Sequence, residues 1–103
     1  MALVAYVKHQ IQSGRLEEAA DRINGNGARM AARPGFVSRD LLIRRDGTEE
    51  LATVTVWESE QAYDAWVEHN RSVNVHAGSD SPYIGSPETT LYVHYEAGKG
   101  ASS

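Results

Sequence analysis

Hydrophobic residues recur along this chain with two different periods, and the switches between them mark its elements. Over LVAYVKHQ, residues 3–10, Leu3, Ala5, Val7 and His9 fall on one face of an extended strand, with Val4, Tyr6 and Lys8 on the other. Both faces are largely apolar, which predicts a strand covered on both sides. Apolar positions then take up helical spacing: Leu16, Ala19, Ala20, Ile23, Gly27, Met30 and Ala31 form one stripe. Ser13 is placed to cap this helix, and Glu17 and Glu18 sit where the helix dipole favours negative charge. The stripe runs through NGNG, where Gly25 and Gly27 each cost a helix interior about 1 kcal/mol relative to alanine. Gly27 lies on the stripe, so it serves a close approach of the helix to a sheet, a break in the helix, or room for a bulky ligand.

ARPG ends that helix, because proline disfavours helical geometry in the residue before it. Two extended runs follow, over residues 36–44 and 50–57, joined through Asp46-Gly47, a strong hairpin signal. In the second run Ala52, Val54 and Val56 share one face while Leu51, Thr53, Thr55 and Trp57 share the other, a face suited to a semi-polar cavity. Ser59 caps a second helix whose buried stripe is Ala62, Tyr63 and Trp66 and which His69 and Asn70 close. Residues 71–87 carry glycines, prolines and serines and read as a long irregular connection, of the kind more often functional or flexible than incidental in so small a domain. Residues 89–96 form the last strand and residues 97–103 an unstructured tail.

The order βαββαβ predicts an α+β, ferredoxin-like domain over residues 1–96: a four-stranded antiparallel sheet with both helices on one face. The other face is too apolar for water, so a second copy of the chain is expected to cover it, giving a homodimer. Size points the same way, since a chain of 103 residues buries only roughly two-thirds of its unfolded surface. A net charge of −4 with ten scattered lysines and arginines argues against nucleic acid as a partner. The absence of cysteine excludes disulfides, thiolate metal sites, iron–sulfur ligation and a cysteine nucleophile. No apolar run approaches the length of a membrane span, and the expected setting is the cytoplasm.

RPGFVSRDLLIRRDGTEELATVTVWESEQAYDAW resembles the antibiotic biosynthesis monooxygenase family, through Pro34, Gly35, Phe36, Leu41, Leu42, Trp57, Glu58, Ser59, Tyr63 and Trp66. The resemblance implies a dimeric α/β barrel, and two branches of the family imply different chemistry. One consists of cofactor-independent oxygenases that turn an anthrone-like substrate into a quinone with O₂ alone. An electron-rich phenolate can itself pass an electron to O₂, so such a protein has only to bind, desolvate and remove a proton. The other branch degrades heme: a loop histidine ligates iron, a helix tryptophan presses on the porphyrin, and a first-strand asparagine bonds the distal ligand. Trp66 and His76 have that branch's spacing, and HAG follows, but Val7 stands where the asparagine is expected and donates nothing.

Three readings of His76 stay open: base, axial ligand and plain loop residue. Trp66 is core or cavity wall. His9 is a second base if its strand face lines a cavity, and is otherwise expected to be solvated near the strand end. His69 suits a helix C-terminus, and His94 a cross-strand or dimer contact. Tyr63 and the other tyrosines, or Asn74, offer hydrogen bonds to a substrate hydroxyl. Of Arg39 and Asp40, a buried arginine would suit a carboxylate or propionate, yet both are expected near an edge and solvated. The leading expectation is a cofactor-independent monooxygenase acting with O₂ on a hydrophobic aromatic or phenolic substrate. His76 is its base, and Trp66, Val7, His9, Asn74 and Tyr63 form the substrate site, with no metal. Heme binding with ring cleavage and a non-catalytic dimeric binding protein are the alternatives.

Overall fold

A computed structural model describes residues 2–73 and 81–95. The elements come in the expected order: β1 (Leu3–Gln10), α1 (Leu16–Ala31), β2 (Phe36–Ile43), β3 (Glu50–Trp57), α2 (Glu60–Val73) and β4 (Glu88–Val93). The strands form one antiparallel sheet in the order β2-β3-β1-β4. No helix among the described residues is long and apolar enough to cross a membrane.

Register decides which side chains share a face. Leu3, Ala5, Val7 and His9 stand opposite Trp57, Thr55, Thr53 and Leu51, while Arg39 and Leu41 stand opposite Thr55 and Thr53. Because side chains alternate along each strand, this whole set lies on one side of the sheet. Both helices pack there in two clusters. Leu3, Ala5, Trp57 and Trp66 are joined by Met30, Phe36, Ala62, Tyr63 and Val67; Ile11, Ala19, Ile23 and Leu51 are joined by Leu16, Ala20, Leu41 and Tyr83.

Several boundaries depart from expectation. Ser13 is not the cap of α1: Gly14 turns the chain at φ +79°, Arg15 takes the cap position without a side-chain cap bond, and Ala31 at the other end is exposed. The Arg15 side chain instead pairs with Glu18 at 2.7 Å. Ser59 does cap α2, accepting the Ala62 N–H at 3.1 Å. That helix continues past Asn70 to Val73, since no glycine or proline stands there to end it. β4 stops at Val93, which pairs with the first residue of β1, so the ladder has nothing left to pair and His94 lies beyond it.

Gly35 locks β2 to the start of α2. It adopts φ +87°, a region that disfavours side chains, and its carbonyl accepts the Glu58 N–H at 2.8 Å. A Cβ at this position would come within 2.4 Å of Ala62 Cβ. Gly27 has a different reason: helical in backbone, it passes over the Arg39 side chain, to which a Cβ would come within 3.2 Å. Close approach is the role found for this glycine.

Candidate active site

The two helices do not close fully on the sheet, and a cavity of about 560 Å³ remains between them. That is within the range of small-molecule sites, roughly 300–1,000 Å³. Its floor is the strand face carrying Ala5, Val7, His9, Thr53, Thr55 and Trp57, so the alternation in ELATVTVW supplies the semi-polar wall. Its roof comes from Ile23, Asn26 and Met30 of α1 and from Tyr63, Trp66, Val67 and Asn70 of α2. Ser81, Tyr83 and Pro87 close one side.

One end of the site is aromatic. Trp57 has no exposed surface; Trp66 stacks on it with ring centres 6.3 Å apart, and Phe36 meets it edge-on at 5.8 Å. Trp66 is thus core and cavity wall together, 4% exposed and still lining the space. The Trp57 Nε1–H and the Asn70 Oδ1, both on lining residues, are buried without a hydrogen-bond partner. Orphaned polar groups of this kind are costly unless something completes them.

Polar groups gather at the other end. The His9 ring packs against Tyr83 with centres 5.2 Å apart, and its Nδ1 is buried without a partner. Burial, and then the nearby Arg39 cation, hold His9 below the ordinary histidine value, so the ring is neutral at pH 7. Arg39 rises from β2 and donates to Met30 Sδ at 3.0 Å. Burial lowers its affinity for the proton, partly offset by Tyr83. The phenol of Tyr83 here and that of Tyr63 beside the aromatic cluster are raised, chiefly by burial, and therefore stay protonated as donors.

The structure corrects the expectation that His9 is solvated near a strand end: it shares the cavity face with Val7 and is half-buried. Arg39 does stand on the sheet-edge strand β2, but its side chain lines the cavity and is half-buried, not solvated. Of that pair only Asp40, on the opposite sheet face, is exposed. Val7, His9, Tyr63 and Trp66 all line this one cavity. His69 packs against Trp66 at 6.1 Å and does not line it. His76 and Asn74 lie outside the described residues, as does the tail over 97–103. Sequence reasoning included Tyr83 only as one of five tyrosines, none singled out, and missed Asn70 as a site residue. Nothing local marks Tyr83; Asn70, one helical turn beyond Trp66, was legible as its neighbour on the same face.

The sequence model of a family described as antibiotic biosynthesis monooxygenase matches residues 2–78. No curated protein sequence matches the chain. Among solved structures, SnoaB, a cofactor-independent oxygenase from Streptomyces nogalater, is 18% identical with a TM-score of 0.69, covering 93% of this chain and 95% of its own. A monooxygenase from the gene ActVA-Orf6 of Streptomyces coelicolor, in complex with nanaomycin D, is 22% identical with a TM-score of 0.73, covering 93% and 89%. The heme-degrader MhuD from Mycobacterium tuberculosis, with two hemes bound in its active site, is 25% identical with a TM-score of 0.67, covering 87% and 92%.

Proposed function

The chain belongs to the antibiotic biosynthesis monooxygenase family, and from that premise we propose that it is a cofactor-independent monooxygenase oxidising a polycyclic phenolic substrate with O₂. One observation carries this reading: an aromatic-walled cavity whose polar end holds an imidazole kept neutral by burial and by Arg39. The substrate's rings lie against Trp66 and over Val7, Thr53 and Thr55. In the substrate's enol tautomer, where the reacting CH₂ has become a ring CH, neutral His9 accepts the phenolic proton, and the Tyr63 and Tyr83 hydroxyls orient the substrate's oxygens. Once deprotonated in a site with little water, the substrate passes one electron to O₂, and the radical pair joins through a new C–O bond. Loss of water across the peroxide leaves a ketone: a CH₂ and O₂ have become C=O and H₂O, with the imidazolium returning its proton to the departing oxygen.

His76 is the competing base, with Asn74 beside it to hold a substrate hydroxyl. Oxygen uptake with 1,8-dihydroxyanthrone in the presence of a chelator tests the reading. The expected result is saturable uptake that His9→Ala lowers about 100-fold or more, the scale of a lost general base. Loss of uptake in His76→Ala, with His9→Ala active, moves the base to His76. Binding without uptake supports a non-catalytic binding protein and overturns the enzymatic reading.

A second reading, heme binding with oxidative ring cleavage, is favoured by the likeness to the mycobacterial heme-degrader and by Trp66 at the cavity wall. Trp66 would lie against the porphyrin and His76 would hold the iron, while Val7 offers no hydrogen-bond donor from the cavity floor. Heme would bring the redox-active iron for such cleavage. A Soret band that saturates on titration and disappears in His76→Ala is the result expected of it. Absorbance that rises without saturation counts against it.

A further inference from the structure

The cavity carries more positive charge than the protein neutralises. Arg22, Arg29 and Arg39 all reach it, and among the described residues no aspartate or glutamate lines it. Two of the three are engaged: Arg22 pairs with Glu18 at 3.3 Å, and Arg29 donates to Asn26 Oδ1. Arg39 is not. Its guanidinium meets only the thioether sulfur of Met30, a weak acceptor, and no carboxylate among the described residues. A half-buried guanidinium left without counter-charge is costly unless a ligand supplies it. The helix above it carries glycine at 27, and that missing side chain leaves the guanidinium its room.

We propose that Arg39 is the counter-ion for a carboxylate borne by the substrate. The inference rests on the aromatic-cavity reading and narrows it from neutral polyphenols to polycyclic aromatic acids. A guanidinium fork matches the two oxygens of a carboxylate in a way that the single oxygen of a phenolate does not. Arg39 rises from β2 and His9 from β1, with β3 between them. A ligand that meets both would lie across the cavity over β3, as fused rings can. Carboxylate at Arg39 and phenol at His9 would fix which ring faces the base.

The test uses two stable quinones, anthraquinone-2-carboxylate and its neutral carboxamide, titrated against the full chain with tryptophan fluorescence as the readout, since Trp57 and Trp66 line the cavity. The wild-type protein is expected to bind the carboxylate at least about tenfold more tightly than the amide. Arg39→Gln removes that preference, and Arg39→Lys, which keeps a point charge without the fork, retains part of it. Equal affinity of the wild type for both probes overturns the inference while leaving the aromatic cavity standing, and so does a preference that survives in Arg39→Gln. Failure of the wild type to bind either probe overturns the aromatic-cavity reading and the inference with it.

Discussion

A histidine at the end of a strand is ordinarily a solvated group that titrates near 6.5. His9 departs from this because its ring is packed against Tyr83 and faces Arg39 across the cavity. Burial is the larger cause and the cation the second, and both disfavour the imidazolium. An NMR titration of the ring is therefore expected to give a midpoint below 6.5, moving upward in Arg39→Gln, where one cation is gone. An unmoved midpoint would contradict the coupling. The sign of the stability effect follows. With the folded value below the unfolded one, the unfolded chain binds more protons between the two, so stability is full above about 6.5 and declines as pH falls toward the folded midpoint. The same neutral form is the one able to accept a proton, so catalysis by His9 would fall away on the acid side.

Single elements are held in place by backbone geometry as much as by burial. The turn before β2 depends on Gly35, whose positive φ disfavours any side chain and whose missing Cβ leaves room for Ala62. Gly35→Ala is expected to cost at least about 1–3 kcal/mol, the usual scale of a strained backbone, with the steric clash added to it. Denaturant unfolding of Gly35→Ala, of the same change combined with Ala62→Gly, and of Ala62→Gly alone as the reference for a glycine in α2, separates the two causes. The second variant recovers the clash and not the strain. Full recovery in the double variant would show that φ contributes nothing. Because Glu58 hydrogen-bonds this glycine, the start of α2 moves with the turn, and Trp66 with the helix.

At the scale of the molecule, no helix among the described residues packs on the other face of the sheet. Val4, Tyr6, Val54 and Val56 line its centre, Leu42 and Tyr92 are about half exposed on it, and β4 is exposed along its whole length. An apolar sheet face of this extent, in a domain this small, is the signature of association. Homodimerisation through this face is proposed, and it leaves each cavity on the opposite side of its own sheet. Sedimentation velocity is expected to give a dimer for the wild type and a monomer for Val54→Asp, which places a charge at the centre of the face. A wild-type monomer would count against this partner.

Local pattern determined most of the fold. Periods of two and of 3.6, together with ARPG and the Asp-Gly turn, were enough for six elements in order, because each depends on a few neighbours in the chain. The same alternation identified Thr53 and Thr55 as a cavity wall and Trp66 as the helix's inward residue. Element ends were less legible, since β4 ends where its partner strand begins and no residue at 93 says so. The polar end of the site was decided by tertiary structure alone. Arg39, His9 and Tyr83 come from two strands and a loop, and nothing in the order of residues states that they meet. Whether a charged residue on an amphipathic strand is solvated or enclosed depends on what lies above it. Here that is a helix with glycine at 27, and its packing turned an arginine expected to be solvated at the sheet edge into a wall of the cavity.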